Sequence, residues 1–152
     1  MAKRPETAVP ALDDFVCFAV YSLGHAFNKL YQPLLKRLNL TYPQYVTMVA
    51  LWQRDDLTVT QLGQRLHLDS GTLTPLLKRL EAAGLIIRAR DKADERQVRI
   101  RLTKAGTALK DKARTISDTV LCATGRTAAD LRRLKDDLLE LRDHLTDPAA
   151  AA

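Results

Sequence analysis

Apolar residues recur along this chain mostly at helical spacing, and one tract breaks that rhythm with strand-like alternation. Val16, Val20, Leu23, Phe27, Leu30 and Leu34 trace one stripe of a long first helix, opposite Lys29, Lys36 and Arg37. Asp13 or Asp14 offers its cap, Leu38 lies near its end, and Pro33 inside it is expected to kink it. Thr41-Tyr42-Pro43 opens a second helix with Pro43 in the first turn and Val46, Val49, Ala50 and Trp52 inward. Thr60 to Leu66 is a short helix whose apolar face carries Leu62 and Leu66. Asp69 and Ser70 can cap the next one, where Leu73, Leu76, Leu77 and Leu80 form a buried stripe and Gly84 marks the end. LIIRAR and VRIRLT follow as two strands, with Arg88, Arg90, Arg99 and Arg101 alternating against apolar neighbours across a polar DKADERQ turn. A further helix begins at Lys104 with Ala108, Leu109, Ala113, Ile116 and Val120 on its buried face, and Gly125 interrupts it. Thr127 to Leu145 makes the last, with Leu131, Leu134, Leu138, Leu141 and Leu145 in a narrow seam suited to a helix–helix interface. Residues 1 to 11 lack periodicity and are expected to be a mobile arm, and the alanine tail after Pro148 to be frayed.

This order specifies a mainly α fold. A winged helix-turn-helix spans residues 58–104. Long N- and C-terminal helices, 12–53 and 105–145, form a dimerisation part of the same 1–152 domain. The terminal stripes are larger than the short central module can cover, so a second copy is expected to pack on them. A two-fold homodimer would set two recognition helices roughly 34 Å apart, one DNA turn, on a palindrome.

Composition sharpens this picture. The chain has 152 residues, 46% hydrophobic, which favours a packed core over disorder. Its net charge is +6, and residues 65 to 104 hold ten Lys and Arg against five Asp and Glu, so most of the excess sits in the winged tract. That distribution points to double-stranded DNA as partner. No apolar run approaches the ~20 residues of a membrane helix, and MAKRPETAVP has no signal-peptide core. No membrane partner is therefore expected, and the cytoplasm is the expected compartment, with the two cysteines reduced at rest.

The exposed face of the second helix of the module presents Thr72, Thr74, Lys78 and Arg79, small polar and cationic groups suited to base edges and phosphates. Asp94 and Arg96 are spaced as a wing tip in which a carboxylate orients a guanidinium toward a narrow minor groove. An uncontacted charged turn, and a winged helix that binds protein, are the plainer alternatives. Cys17 lies near the start of the first helix, where backbone N–H groups favour a thiolate and Asp13 and Asp14 oppose it. Flanked by Val16 and Phe18 it also fits an inert core cysteine, and Cys122, beside Leu121, fits the same description. Tyr21, Tyr31, Tyr42 and Tyr45 lie within thirty residues of Cys17. Tyr21 is one turn away. Tyr31 is fourteen residues on, ~21 Å along a straight helix, so only an antiparallel second copy brings it to Cys17. Tyrosines at a core edge are the alternative. His25 is more than two turns from Cys17, C-x-x-C is absent, and no Cys/His metal spacing occurs. No enzyme, metal or cofactor is expected.

In DSGTLTPLLKRLEAAGLI, DERQVRIRLTKAG and FVCFAVYSLGHAFNKLYQPLL the chain resembles the MarR family of winged-helix repressors, and within it the OhrR subgroup of organic-hydroperoxide sensors. The resemblance implies that Cys17 is oxidised by organic hydroperoxides, and that Tyr31 and Tyr42 of the partner subunit hydrogen-bond its sulfur, with Tyr21 nearby. Cys122 would be the resolving cysteine of a two-cysteine type, forming an intersubunit disulfide that releases operator DNA. It also implies that Ser70, Thr72, Thr74, Pro75, Lys78 and Arg79 face the major groove, with Arg96 in the minor groove. The alternative within the same family is a repressor released by a small phenolic or other organic ligand, with both cysteines inert.

Overall fold

The computed structural model describes residues 11–147, so the expected N-terminal arm and alanine tail fall almost wholly outside the described residues. In chain order the elements are α1 (Val16–Lys36), α2 (Tyr42–Gln53), β1 (Leu57–Thr58), α3 (Val59–Leu66), α4 (Ser70–Ala82), β2 (Ile86–Arg90), β3 (Val98–Leu102), α5 (Lys104–Ala123) and α6 (Ala128–Thr146). This is the winged helix-turn-helix order expected from the sequence, with one more strand. The chain divides into two compact units, at Lys110 and Asp111 inside α5, so α1 and α2 share a unit with the winged module.

Caps explain most boundaries. Thr41 and Gln44 form a reciprocal capping box ahead of α2 with Pro43 in its first turn, and Thr58 and Gln61 do the same for α3. Asp69 caps α4: one carboxylate oxygen accepts the Thr72 N–H at 2.8 Å and the other its hydroxyl at 2.9 Å. Gly84, at φ +72°, closes α4. Its N–H reaches Glu81 O at 2.9 Å and the Leu85 N–H reaches Leu80 O at 3.1 Å, a Schellman ending that only a residue tolerant of left-handed backbone completes cheaply. The start of α1 departs from expectation. Leu12–Asp14 is a 3-10 turn, Phe15 takes the extended cap conformation, and neither Asp13 nor Asp14 caps the helix. The helix runs on through Pro33.

Leu73, Leu76, Leu77 and Leu80 of α4 are buried with Leu62, Ile86 and Ile100, each side chain stabilising the module by about 1.5–3 kcal/mol. In α2 the fully buried set is Tyr45, Thr47, Met48, Ala50 and Leu51; of the four expected positions only Ala50 is fully buried, because the inward face is rotated from the one anticipated. The sheet order is β1-β3-β2, antiparallel throughout, with Leu57 opposite Ile100 and Ile86 opposite Leu102. Two terminal stripes stay uncovered within one chain: Val16, Val20 and Leu23 are 64%, 45% and 41% exposed, and Leu134, Leu138, Leu141 and Leu145 are exposed as well. In α5, Ala113, Ile116 and Val120 are buried as expected. Among the described residues no helix is long and apolar enough to cross a membrane.

Candidate nucleic-acid interface and thiol site

The sequence of α4 forces its leucines inward, and the same turn spacing puts Ser70, Thr72, Pro75, Lys78 and Arg79 at the surface, with Thr74 half-buried. Asp69 organises the leading end of that face. The Thr72 N–H, and next its hydroxyl, hold the Asp69 carboxyl below the usual carboxylate range. With its hydroxyl proton donated to Asp69, the exposed Thr72 keeps an oxygen that can only accept.

The wing is more than a basic ribbon, because carboxylates fix its turn. Asp91 at its base accepts the Ala93 N–H at 2.7 Å and the Asp94 N–H at 3.3 Å. Asp94 accepts the backbone N–H of Arg96 at 3.1 Å and the Gln97 side-chain amide at 3.1 Å. The spacing of Asp94 and Arg96 suggests a carboxylate that orients the guanidinium; within this chain Asp94 holds the backbone instead, because a short carboxylate two residues back reaches the N–H and turns the chain. Arg90, Lys92 and Arg96 stay exposed and without ion pairs among the described residues.

Arg88, Arg99 and Arg101, expected as part of the same basic face, are held by carboxylates. Arg88 pairs with Glu81 at 3.6 Å. Arg99 meets Asp56 at 2.6 Å and Asp91 at 2.9 Å, and Arg101 meets Asp56 at 2.9 Å. The cause is register: β1 lies beside β3, with Leu57 opposite Ile100, which puts Asp56 next to Arg101. The Arg101 and then the Arg99 hydrogen bonds hold the Asp56 carboxyl down at about 2. Sequence reasoning missed Asp55, Asp56 and Asp91; the only available signal was the acidic pair before Leu57, ahead of a strand too short to show alternation.

Cys17 is the second residue of α1 and is exposed, so within one chain it is not a core cysteine. Cys122 is exposed near the end of α5, in the second unit. Tyr21 rests edge-on against His25, centroids 4.4 Å apart, and stacks toward Phe18; it makes no hydrogen bond to Cys17 within the chain. Tyr31 of α1 and Tyr42 of α2 do come together, centroids 4.8 Å apart, with the buried Tyr45 5.9 Å from Tyr31 and in turn beside Trp52. Tyr45 completes a cluster that spacing alone leaves at two. Burial, followed by the neighbouring Tyr42 and Tyr45, pushes Tyr31 up to about 12, so its phenol remains an O–H donor throughout the physiological range. Tyr31 and Tyr42 also line a cleft of about 730 Å³ with His25, Lys29, Leu35 and Lys36. No cluster of His, Cys, Asp or Glu suited to a metal exists among the described residues.

Residues 29–113 match the model of the transcriptional regulator SarA/Rot family. The chain is 46% identical over 134 residues to the organic hydroperoxide resistance transcriptional regulator of Bacillus subtilis, spanning 88% of this chain and 91% of that one. It is 52% identical over 135 residues to the HTH-type transcriptional regulator TtmR of Methylorubrum extorquens, spanning 89% and 69%. Among solved structures, the fold is similar to AbfR of Staphylococcus epidermidis in its reduced, DNA-bound form, with 30% identity, 90% and 95% coverage and a TM-score of 0.75.

Proposed function

The chain belongs to the SarA/Rot family of MarR-like winged-helix transcriptional regulators, and on that premise we propose that it is a homodimeric repressor switched by organic hydroperoxides. In the reduced dimer, α4 enters the major groove through Ser70, Thr72, Thr74, Pro75, Lys78 and Arg79, and Arg96 at the wing tip enters the minor groove. The exposed stripes of α1 and α6 are the surfaces a second copy covers. The Cys17 thiolate attacks the terminal peroxide oxygen, the O–O bond breaks, and the alkoxide leaves as an alcohol after taking a proton. The sulfenic acid on Cys17 is then attacked by the Cys122 thiolate of the other subunit, which expels hydroxide and forms a disulfide. Closing that bridge requires Cα atoms about 4.4–6.8 Å apart, and the movement it imposes on the helices shifts the two recognition helices out of register with the DNA grooves. A coupling of about 1.4 kcal/mol already changes affinity tenfold.

The carrying observation is the Tyr31–Tyr42 pair: Tyr31, whose phenol burial keeps protonated, lies on the same helix that presents Cys17 in the open, and Tyr42 of α2 packs against it. Fourteen residues, ~21 Å of helix, separate Tyr31 from Cys17, so the pair meets a thiol only across a dimer. The B. subtilis relative carries organic hydroperoxide resistance in its name, which supports the choice of effector. In a DNA mobility-shift assay cumene hydroperoxide releases the wild-type protein, whereas Cys17→Ser stays bound; release of Cys17→Ser sinks the sensor role. The cleft beside Tyr31 and Tyr42 favours one second reading, a regulator released by a small phenolic ligand, which predicts DNA binding insensitive to peroxide.

A further inference from the structure

The Asp56 cluster is not needed for any step above, yet it ties together three separate segments. Asp56 sits in left-handed backbone at φ +58° in the turn before β1. Its carboxylate accepts from Arg99 Nε at 2.6 Å, from Arg101 Nε at 2.9 Å and from the Arg101 terminal nitrogen at 3.2 Å. Its carbonyl accepts from Arg99 at 2.6 Å. Arg99 reaches on to Asp91 at 2.9 Å, and Asp91 in turn holds the backbone of Ala93 and Asp94 at the wing base. A continuous relay therefore runs from Asp56 through Arg99 and Asp91 to the turn that carries Arg96. Asp55 adds to it by accepting the Leu102 N–H at 2.9 Å.

We propose that Asp56 is a specificity-setting residue of the DNA reader: it withholds Arg99 and Arg101 from the phosphate backbone and pins the wing that positions Arg96. The proposal rests on the reading of this wing as a DNA contact. The physical reason is that phosphate contacts add affinity without sequence information, whereas base contacts discriminate. Two arginines left loose on β3, beside the wing, would bind any duplex. Asp56 is a positioning residue, touching no base or phosphate itself. Its two arginines are not equally dependent on it. Arg99 keeps Asp91 if Asp56 is lost, while Arg101, whose side chain is 54% exposed, makes no other ion pair among the described residues and is left with only the longer-range attraction of Asp55.

The test is the salt dependence of binding, by fluorescence anisotropy of the full chain on two probes. One is a random-sequence duplex; the other is the duplex enriched from a random pool by the wild-type protein. Asp56→Asn removes the charge and keeps a residue that accepts left-handed backbone. On the random duplex its log–log salt slope should steepen by about 0.9 for each chain bound, one freed arginine, with affinity rising roughly fivefold to tenfold per chain near 0.1 M salt. The freed arginine strengthens both probes alike, so preference for the enriched duplex should fall through the loosened wing, as Arg96 loses its fixed place. Adding Arg101→Gln to Asp56→Asn should return the slope to the wild-type value. An unchanged slope in Asp56→Asn, or a steeper one that survives Arg101→Gln, overturns the proposal. Should Asp56→Asn fail to fold, Arg101→Gln alone decides: no change in slope supports the proposal, and a loss of about 0.9 per chain overturns it. A wild-type protein that binds neither probe overturns the DNA-binding reading and this inference with it, an outcome distinct from all the others.

Discussion

Replacing Gly106 by alanine puts a methyl group where the winged module is closed onto the start of α5. A Cβ there would stand 2.0 Å from the Leu85 carbonyl oxygen, 3.0 Å from its carbon and 3.3 Å from Leu102 Cδ2. Carbon–oxygen contacts settle at about 3.3–3.6 Å, so α5 and the Leu85 backbone must part by more than ~1 Å. Three hydrogen bonds are at stake: Thr103 N–H to Leu85 O at 3.0 Å, Gly106 N–H to Thr103 Oγ1 at 3.0 Å, and Trp52 Nε1–H to Gly106 O at 2.9 Å. Overpacking costs about 1–3 kcal/mol and each lost hydrogen bond about 1 kcal/mol, against about 1 kcal/mol gained in helix propensity. With two of the three lost, the net is a loss of about 2–4 kcal/mol, or a melting temperature lower by roughly 5–15 °C. Thermal melts at matched protein concentration measure it, and the emission of Trp52, the single tryptophan, reports whether its indole has lost Gly106. A variant that melts at or above wild type with unchanged emission would refute this account of the joint.

Two further outcomes follow from the charged groups. The Asp56 carboxyl lies at about 2 in the folded protein, below its ordinary 3.8, and those of Asp69, Asp91 and Asp130 are also lowered. Because these groups bind protons more readily unfolded, their contribution is complete above about pH 4 and is lost as pH falls toward 2. The melting temperature should thus hold from pH 7 to 5 and drop below 4, less steeply in Asp56→Asn; an equally steep drop in that variant would remove Asp56 from the explanation. Arg96→Ala should weaken binding to the selected duplex at least tenfold in a shift assay while its melt stays at the wild-type temperature, and unchanged affinity would remove Arg96 from the groove.

The recognition helix is legible in the sequence because everything that defines it is local: the four leucines at helical spacing, Asp69 before them and Gly84 after. The start of α1 is not, since two adjacent aspartates look like caps in sequence while the backbone spends them on a 3-10 turn and leaves Phe15 at the boundary. Periodicity places the α1 stripe but does not say which chain covers it; within one chain Leu35 is buried while Val16, Val20 and Leu23 are open. The basic wing is the least legible part. Alternating arginines in two strands read as one cationic face, yet the partners of Arg99 and Arg101 include a residue 43 and 45 positions away, across a two-residue strand that carries no periodic signal. At the thiol site, Tyr31 and Tyr42 stand out by their spacing, whereas Tyr45 joins them only through the packing of α2 against α1.

The link between Cys17 and Cys122 is the step on which the proposed switch turns, and mass spectrometry of the protein after one equivalent of cumene hydroperoxide addresses it directly. The account predicts a Cys17–Cys122 disulfide peptide in a species that runs as a covalent dimer on a non-reducing gel, is absent in Cys122→Ser, and no longer binds the selected duplex until a thiol reduces it. A monomeric oxidised band, or a disulfide-linked dimer that still holds DNA, would contradict it.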